Sequence, residues 1–96
     1  MNKTAFDTEL KKIVEIGRKY GANRIIMFGS CLEDMATARD IDIAVSGVEP
    51  GRFFDFYADV SMSISDEADI IDLDDLDGHL RTRIETKGKV LYERAL

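Results

Sequence analysis

The stretch Asp40-Ile41-Asp42-Ile43-Ala44-Val45 constrains the fold of this chain more than any other segment. Side chains alternate sides along a β-strand, so Ile41, Ile43 and Val45 share one face while Asp40, Asp42 and Ala44 share the other. Aspartate is disfavoured within strands, yet two of them flank an apolar isoleucine here. Residues two apart on a strand lie about 6–7 Å from each other along the chain. Two carboxylates at that spacing form either a solvated polar face or a bracket for hard cations, which prefer oxygen ligands.

The elements around this strand define a small domain. Phe6, Leu10, Ile13, Val14 and Gly17 recur at helical spacing and predict a helix from about Thr4 to Tyr20, closed by Gly21. Arg24 to Phe28 reads as a short buried strand, and Gly29-Ser30 turns the chain into one helical stretch to about Met35. Pro50 suits the first turn of a second helix, which carries Phe53, Phe56, Tyr57, Val60 and Ile64 on one stripe and runs to about Ser65. Asp69 to Leu73 is a third strand, followed by a helix over Asp77 to Lys87 and a short strand at Val90-Leu91-Tyr92. The Phe28-to-Asp40 connection is too short for a crossover helix, so those two strands are expected to pair antiparallel. The order predicts an α+β fold, a small mixed β-sheet with helices packed on one face, as a single domain over residues 1–96.

Composition narrows the function classes. The chain carries 19 acids against 13 bases, a formal net charge of -6, which opposes direct nucleic-acid binding. The nearest approach to a basic patch, Arg81-Thr82-Arg83 with Lys87 and Lys89, is flanked by acids. No apolar run is long enough to span a membrane, and the N-terminal residues lack an apolar signal core. The single cysteine, Cys31, excludes an intrachain disulfide and suits a reducing cytoplasm, the expected location. By pattern, Cys31 belongs with Leu32 and Met35 as core, and His79, the only histidine, sits on the exposed side of the last helix.

Three features carry chemistry when taken together. Gly29-Ser30 follows a buried strand directly, where glycine lets the backbone approach a ligand and free N–H groups attract phosphate. Taken alone, the same pair reads first as an N-capping serine in a strand-to-helix turn. Asp40 and Asp42 share a strand face. Asp69 opens another strand, and if that strand lies beside the first, three carboxylates converge. Two like charges about 4 Å apart repel by roughly 4 kcal/mol at an effective dielectric of ~20. Such a cluster needs protons or cations to persist, and divalent metal is the natural answer.

Met27-Phe28-Gly29-Ser30, a spacer of nine residues and Asp40-Ile41-Asp42-Ile43-Ala44-Val45 resemble the signature of the DNA polymerase β-type nucleotidyltransferases, and most nearly their minimal (MNT) branch. Ala68-Asp69-Ile70-Ile71-Asp72-Leu73-Asp74-Asp75-Leu76 resembles the later strand that carries that family's third acid. Gly88-Lys89-Val90-Leu91-Tyr92-Glu93 resembles the way these domains close. The resemblance implies a polymerase β-like nucleotidyltransferase fold. It further implies that Gly29 and Ser30 hold the β- and γ-phosphates of a nucleoside triphosphate, and that Asp40 and Asp42 ligate two magnesium ions. Asp69 would complete the metal site and help deprotonate an acceptor hydroxyl. Asp69 and Asp72 point to opposite faces; the family pattern favours Asp69, with Asp72 as the substitute. Arg39, beside the first aspartate, is within reach of a phosphate or of solvent and is counted among the nucleotide-binding candidates. The spacer departs from the family pattern: it is one residue short, has Cys31 and Leu32 followed by Glu33 and Asp34 just after Gly-Ser where basic residues are common, and has Arg39 where a small polar residue is usual.

MNT domains are typically paired with a helical HEPN or substrate-binding chain, often as the antitoxin of a toxin–antitoxin pair. By resemblance, the implied reaction is transfer of AMP from ATP to a hydroxyl on that partner, plausibly a tyrosine. The alternative is a catalytically weak or inactive module that neutralises a partner by contact, and Phe54, beyond what one core-facing stripe requires, would suit such a surface. A homo-oligomer remains open.

Overall fold

The computed structural model describes residues 3–29 and 40–94. Helix α1 (Lys3–Lys19) leads into strand β1 (Arg24–Phe28), and β2 (Asp40–Ser46) follows. A 3-10 turn at Pro50–Arg52 opens α2 (Phe53–Ser63), which hands over to β3 (Glu67–Asp72). A second 3-10 turn, Leu73–Asp75, precedes α3 (Gly78–Lys87) and β4 (Lys89–Glu93). The expected helical stretch from Ser30 to Met35 lies outside the described residues, as do Cys31 and Arg39.

The four strands lie in the order β3-β2-β1-β4. β1 pairs antiparallel with both β2 and β4, as the short connection required for the first of these pairs. β2 pairs parallel with β3, and α2 is the crossover between them. The sheet is therefore mixed, and the α+β class holds.

Alternation along the strands builds two apolar layers. Ile25, Met27, Ile41, Ile43 and Val45 are buried with Phe6 and Ile13 of α1 and Phe56 and Val60 of α2. Each such side chain stabilises the fold by about 1.5–3 kcal/mol through removal from water. Ile26 and Ala44 point the other way and are buried with Ile84 of α3 and Leu73. So α1 and α2 share one face, as expected, while α3 covers part of the opposite face. The helical layer is split because β1 is apolar on both sides. Gly21, at φ +80, ends α1 in the left-handed conformation, and its neighbour Ala22 donates its N–H back to the Gly17 carbonyl at 2.9 Å.

Polar groups pin the connections. Glu9 is only 6% exposed although it sits on α1, and its carboxylate accepts from the Ser65 N–H at 3.3 Å and the Ser65 hydroxyl at 3.1 Å. Acids of the run after β3 hold the turn and the next helix through hydrogen bonds. Asp72 accepts from the Asp74 N–H, and Asp77 caps α3 by accepting from Leu80 N–H at 3.1 Å. Asp74 accepts from the Ser46 hydroxyl at 2.7 Å and the Gly47 N–H at 2.9 Å, which ties the end of β2 to the turn after β3.

Partial burial pushes the Asp74 carboxyl up, but the Gly47 N–H, the Ser46 hydroxyl and the guanidinium groups of Arg81 and Arg24 outweigh it, so Asp74 is held below the usual carboxylate value. A carboxylate depressed in the folded state adds stability above its unfolded pKa and loses it as pH falls through the folded value. Asp74→Ala is thus expected to cost about 1 kcal/mol near neutral pH, a small figure because the side chain is 47% exposed. The deficit should shrink as pH falls through the depressed folded value, where wild type protonates Asp74 as well. Urea unfolding across acidic pH measures both; a deficit independent of pH would assign the loss to packing.

Candidate active site

The antiparallel β1–β2 pair and the parallel β2–β3 pair bring separate parts of the sequence to one spot. Asp42 lies opposite Phe28 of β1 on one side and opposite Asp69 of β3 on the other. Paired residues in a ladder share a face, so Asp40, Asp42 and Asp69 are on the same side of the sheet. This is the side that α3 partly covers. Asp42 is half-buried, while Asp40 and Asp69 are exposed. Asp72 lies opposite Val45 at the far end of β3 and spends its carboxylate on the Asp74 N–H.

The carboxylates sense one another. Burial, then the charge of Asp69, then that of Asp40 push the Asp42 carboxyl above its ordinary value. Asp69 is also held from α2. The Tyr57 hydroxyl lies 3.1 Å from the Ala68 carbonyl, to which it can donate, and 3.3 Å from Asp69 Oδ1. Sequence reading placed Tyr57 on the core stripe only; the hydroxyl was the available sign that its ring tip reaches polar ground.

Gly29 closes the other side of the site. Its φ of +82 is the left-handed region that side chains resist, and a Cβ there would overlap the Asp42 carboxylate, 3.0 Å from its Cγ. Backbone and acid are therefore in direct apposition. Ser30 and Arg39, the other expected nucleotide contacts, lie outside the described residues.

Two recesses of opposite character flank the carboxylates. One, of about 520 Å³, is lined by Phe28, Gly29, Leu80, Ile84 and Gly88 with Arg83 and Lys87 of α3. The other, of about 400 Å³, is lined by Asp40, Tyr57, Ser61, Asp66, Glu67 and Asp69 among others. The first offers apolar walls and cations; the second offers carboxylates and hydroxyls.

As they stand, no three carboxylates, thiols or imidazoles among the described residues are gathered tightly enough to hold a metal ion. The donor set nonetheless fits a hard divalent cation: all three groups are carboxylates on one face, and Asp42 is disfavoured in its charged form by the other two.

A four-stranded mixed sheet with carboxylates on adjacent strands and a glycine against one of them defines a nucleotidyltransferase-type domain. The profile of the family described as polymerase beta, nucleotidyltransferase matches residues 11–95, and the chain belongs to that family. The resemblance of the motif from Met27 to Val45 is thereby borne out. No curated protein sequence matches the chain.

Several solved structures are similar in fold. A chain of the MntA–HepT toxin–antitoxin complex is 22% identical, with a TM-score of 0.69 over 92% of this chain and 73% of that one. A toxin–antitoxin structure with AMP-PNP gives 23% identity and a TM-score of 0.73 over 88% and 73% of the two chains. A structure of tri-AMPylated Shewanella oneidensis HEPN toxin with an MNT antitoxin gives 22% and 0.71 over 92% and 72%. At such identities the likeness is one of fold. No helix among the described residues is long and apolar enough to cross a membrane.

Proposed function

We propose that this chain is a metal-dependent nucleotidyltransferase that moves AMP from ATP to a hydroxyl, that of a tyrosine, on a HEPN-type partner protein as an MNT antitoxin. The observation that carries the reading is the meeting of Asp40, Asp42 and Asp69 on one sheet face with Gly29 against Asp42. Family membership supports transfer of a nucleotidyl group. The AMP-PNP and tri-AMPylated HEPN complexes among the similar folds support the nucleotide and the partner.

In this reading Asp40, Asp42 and Asp69 would hold magnesium, which would supply charge neutralisation for the triphosphate and its leaving oxygen. Gly29 lets the phosphates approach the backbone, with Ser30 and Arg39 as further contacts. The acceptor oxygen forms a bond to the α-phosphorus as the bond to the bridging oxygen breaks and pyrophosphate leaves. Asp69 accepts the proton of the acceptor hydroxyl, held toward it by Tyr57.

Calorimetric titration with ATP, with and without magnesium, tests this. Wild type is expected to bind only with magnesium, and Asp40→Asn/Asp42→Asn to lose that binding and transfer to the partner. Transfer undiminished in the double variant would sink the proposal.

A second reading is neutralisation of a partner by contact alone. What favours it is the exposed stripe Phe54, Ala58 and Met62 on the outer side of α2, where Phe54 is 82% and Met62 is 86% exposed. A contact module would bind its partner equally well with both aspartates replaced and without nucleotide.

A further inference from the structure

Among the described strands β3 lies at an edge of the sheet, so a long side chain from α2 can pass its rim. Tyr57 does so. Its ring packs beside the core on the face that α1 and α2 share, edge-on to Phe53 with the centroids 6.4 Å apart. Its hydroxyl emerges next to Asp69, whose side chain belongs with Asp42 to the opposite face. That hydroxyl lies 3.3 Å from Asp69 Oδ1, about the reach a base needs of its proton before substrate tightens a resting site. The ring is thus anchored while its tip opens into the recess lined by Asp40, Ser61 and Asp69.

The other hydroxyls are placed differently. Of the three tyrosines, Tyr20 gives its hydroxyl to Asp59 and Tyr92 lies under the Arg18 guanidinium, and neither lines this recess. Ser65 does line it, but its hydroxyl bonds the Glu9 carboxylate. Among the described residues, Tyr57 is the hydroxyl that meets an aspartate of the cluster. A reaction that ends on a tyrosine therefore finds one beside its base within the same chain. Such a group competes well with an acceptor from solution, because the entropy of bringing it there was spent in folding.

We propose that Tyr57 is itself an acceptor, and that without a partner the chain transfers AMP from ATP to its own Tyr57 hydroxyl. The inference rests on the nucleotidyltransferase reading and adds a second acceptor to it. Tyr57 Oη forms a bond to the α-phosphorus as the bond to the bridging oxygen breaks. Pyrophosphate leaves with that electron pair, and the hydroxyl proton passes to the Asp69 carboxylate. A seated partner brings its own hydroxyl to Asp69 and leaves Tyr57 in its supporting part. The product of self-transfer is a phosphodiester whose nucleotide lies in the recess of about 400 Å³ beside Asp69. An acceptor segment must enter that recess to reach the base, so the modified chain is closed to its partner.

The test incubates the full chain with ATP and magnesium, without any partner, and follows intact mass and peptide maps. Wild type is expected to gain one adenylyl group on Tyr57, at a rate independent of protein concentration because donor site and acceptor share a chain. Tyr57→Phe keeps the ring against Phe53, so it is expected to stay folded and to gain none. Asp69→Asn should slow the gain by roughly a hundredfold or more, the usual worth of a positioned base. A second readout needs neither metal nor nucleotide: acetylation by N-acetylimidazole, which marks accessible phenols. Tyr57 is expected to react in the metal-free folded protein, and ahead of Tyr20. A Tyr57 that resists the reagent while Tyr92 reacts would overturn the inference. A chain that binds ATP with magnesium yet stays unmodified, or is modified at Ser61 or another tyrosine, would overturn it too and leave the proposed function standing. A chain that neither binds ATP nor transfers from it would overturn both.

Discussion

Asp42→Asn is expected to raise the melting temperature of the metal-free protein by about 4–8 °C, the shift that roughly 1 kcal/mol makes in a domain of this size, while eliminating nucleotidyl transfer. Both effects have one cause. Asp42 is half-buried, and its ionised form is opposed by burial and by the charges of Asp69 and Asp40. Asparagine keeps the shape and removes the charge. The folded protein holds the Asp42 proton more tightly than the unfolded chain, so ionisation subtracts stability as pH rises through the raised value. The advantage of the variant should accordingly be absent in acid and full near neutral pH. Calorimetric melting in chelator across that range measures it. Magnesium should then stabilise wild type and leave the variant unmoved. A variant that melts below wild type at neutral pH would mean that the Asp42 carboxylate supports the fold through contacts of its own.

Gly29→Ala is expected to cost about 2–4 kcal/mol, well above the average single substitution. Part of this is the left-handed conformation at φ +82, worth about 1–2 kcal/mol for a residue with a Cβ. The remainder is the overlap between the new methyl group and the Asp42 carboxylate. A double-mutant cycle separates them: Asp42→Ala should recover the overlap portion and leave the conformational portion in place. Urea midpoints for the four proteins supply the numbers. Strictly additive losses would show that glycine and aspartate are not in contact in solution.

What could be read without coordinates follows physical lines. β1 was legible to the residue because Arg24 to Phe28 is a bounded apolar run, and β2 because its alternation is strict. Their antiparallel pairing was legible too, because a short connection imposes it, whereas the apposition of Gly29 and Asp42 came only with the coordinates. The placement of α3 was missed. Its apolar residues are too few to define a stripe, and Ile84 alone is buried. Yet β1 held the clue, since Ile25, Ile26 and Met27 in succession are apolar on both faces and call for a second layer. Glu9 and Asp74 were beyond reach for another reason. Their partners lie 56 and 27–28 residues away, and no local pattern marks a carboxylate that will be bound by a distant hydroxyl or N–H. Arg83 and Lys87 stood in the sequence as a flanked basic cluster; only the fold sets them beside Gly29.

The parallel pairing of β2 with β3 also sets an order of events. Gly29, Asp40 and Asp42 belong to strands that are neighbours in sequence, whereas Asp69 arrives by a pairing that must close a loop through the whole of α2. Long-range pairings form late, because the entropy of the loop is spent before contacts reward it. A newly made chain with β1 and β2 in place but β3 still free would hold two of the three acids and no proton acceptor beside them. In the proposed chemistry such a chain has no means of acting on ATP. In that chemistry competence arrives with β3, so the unfinished molecule is silent toward its substrate.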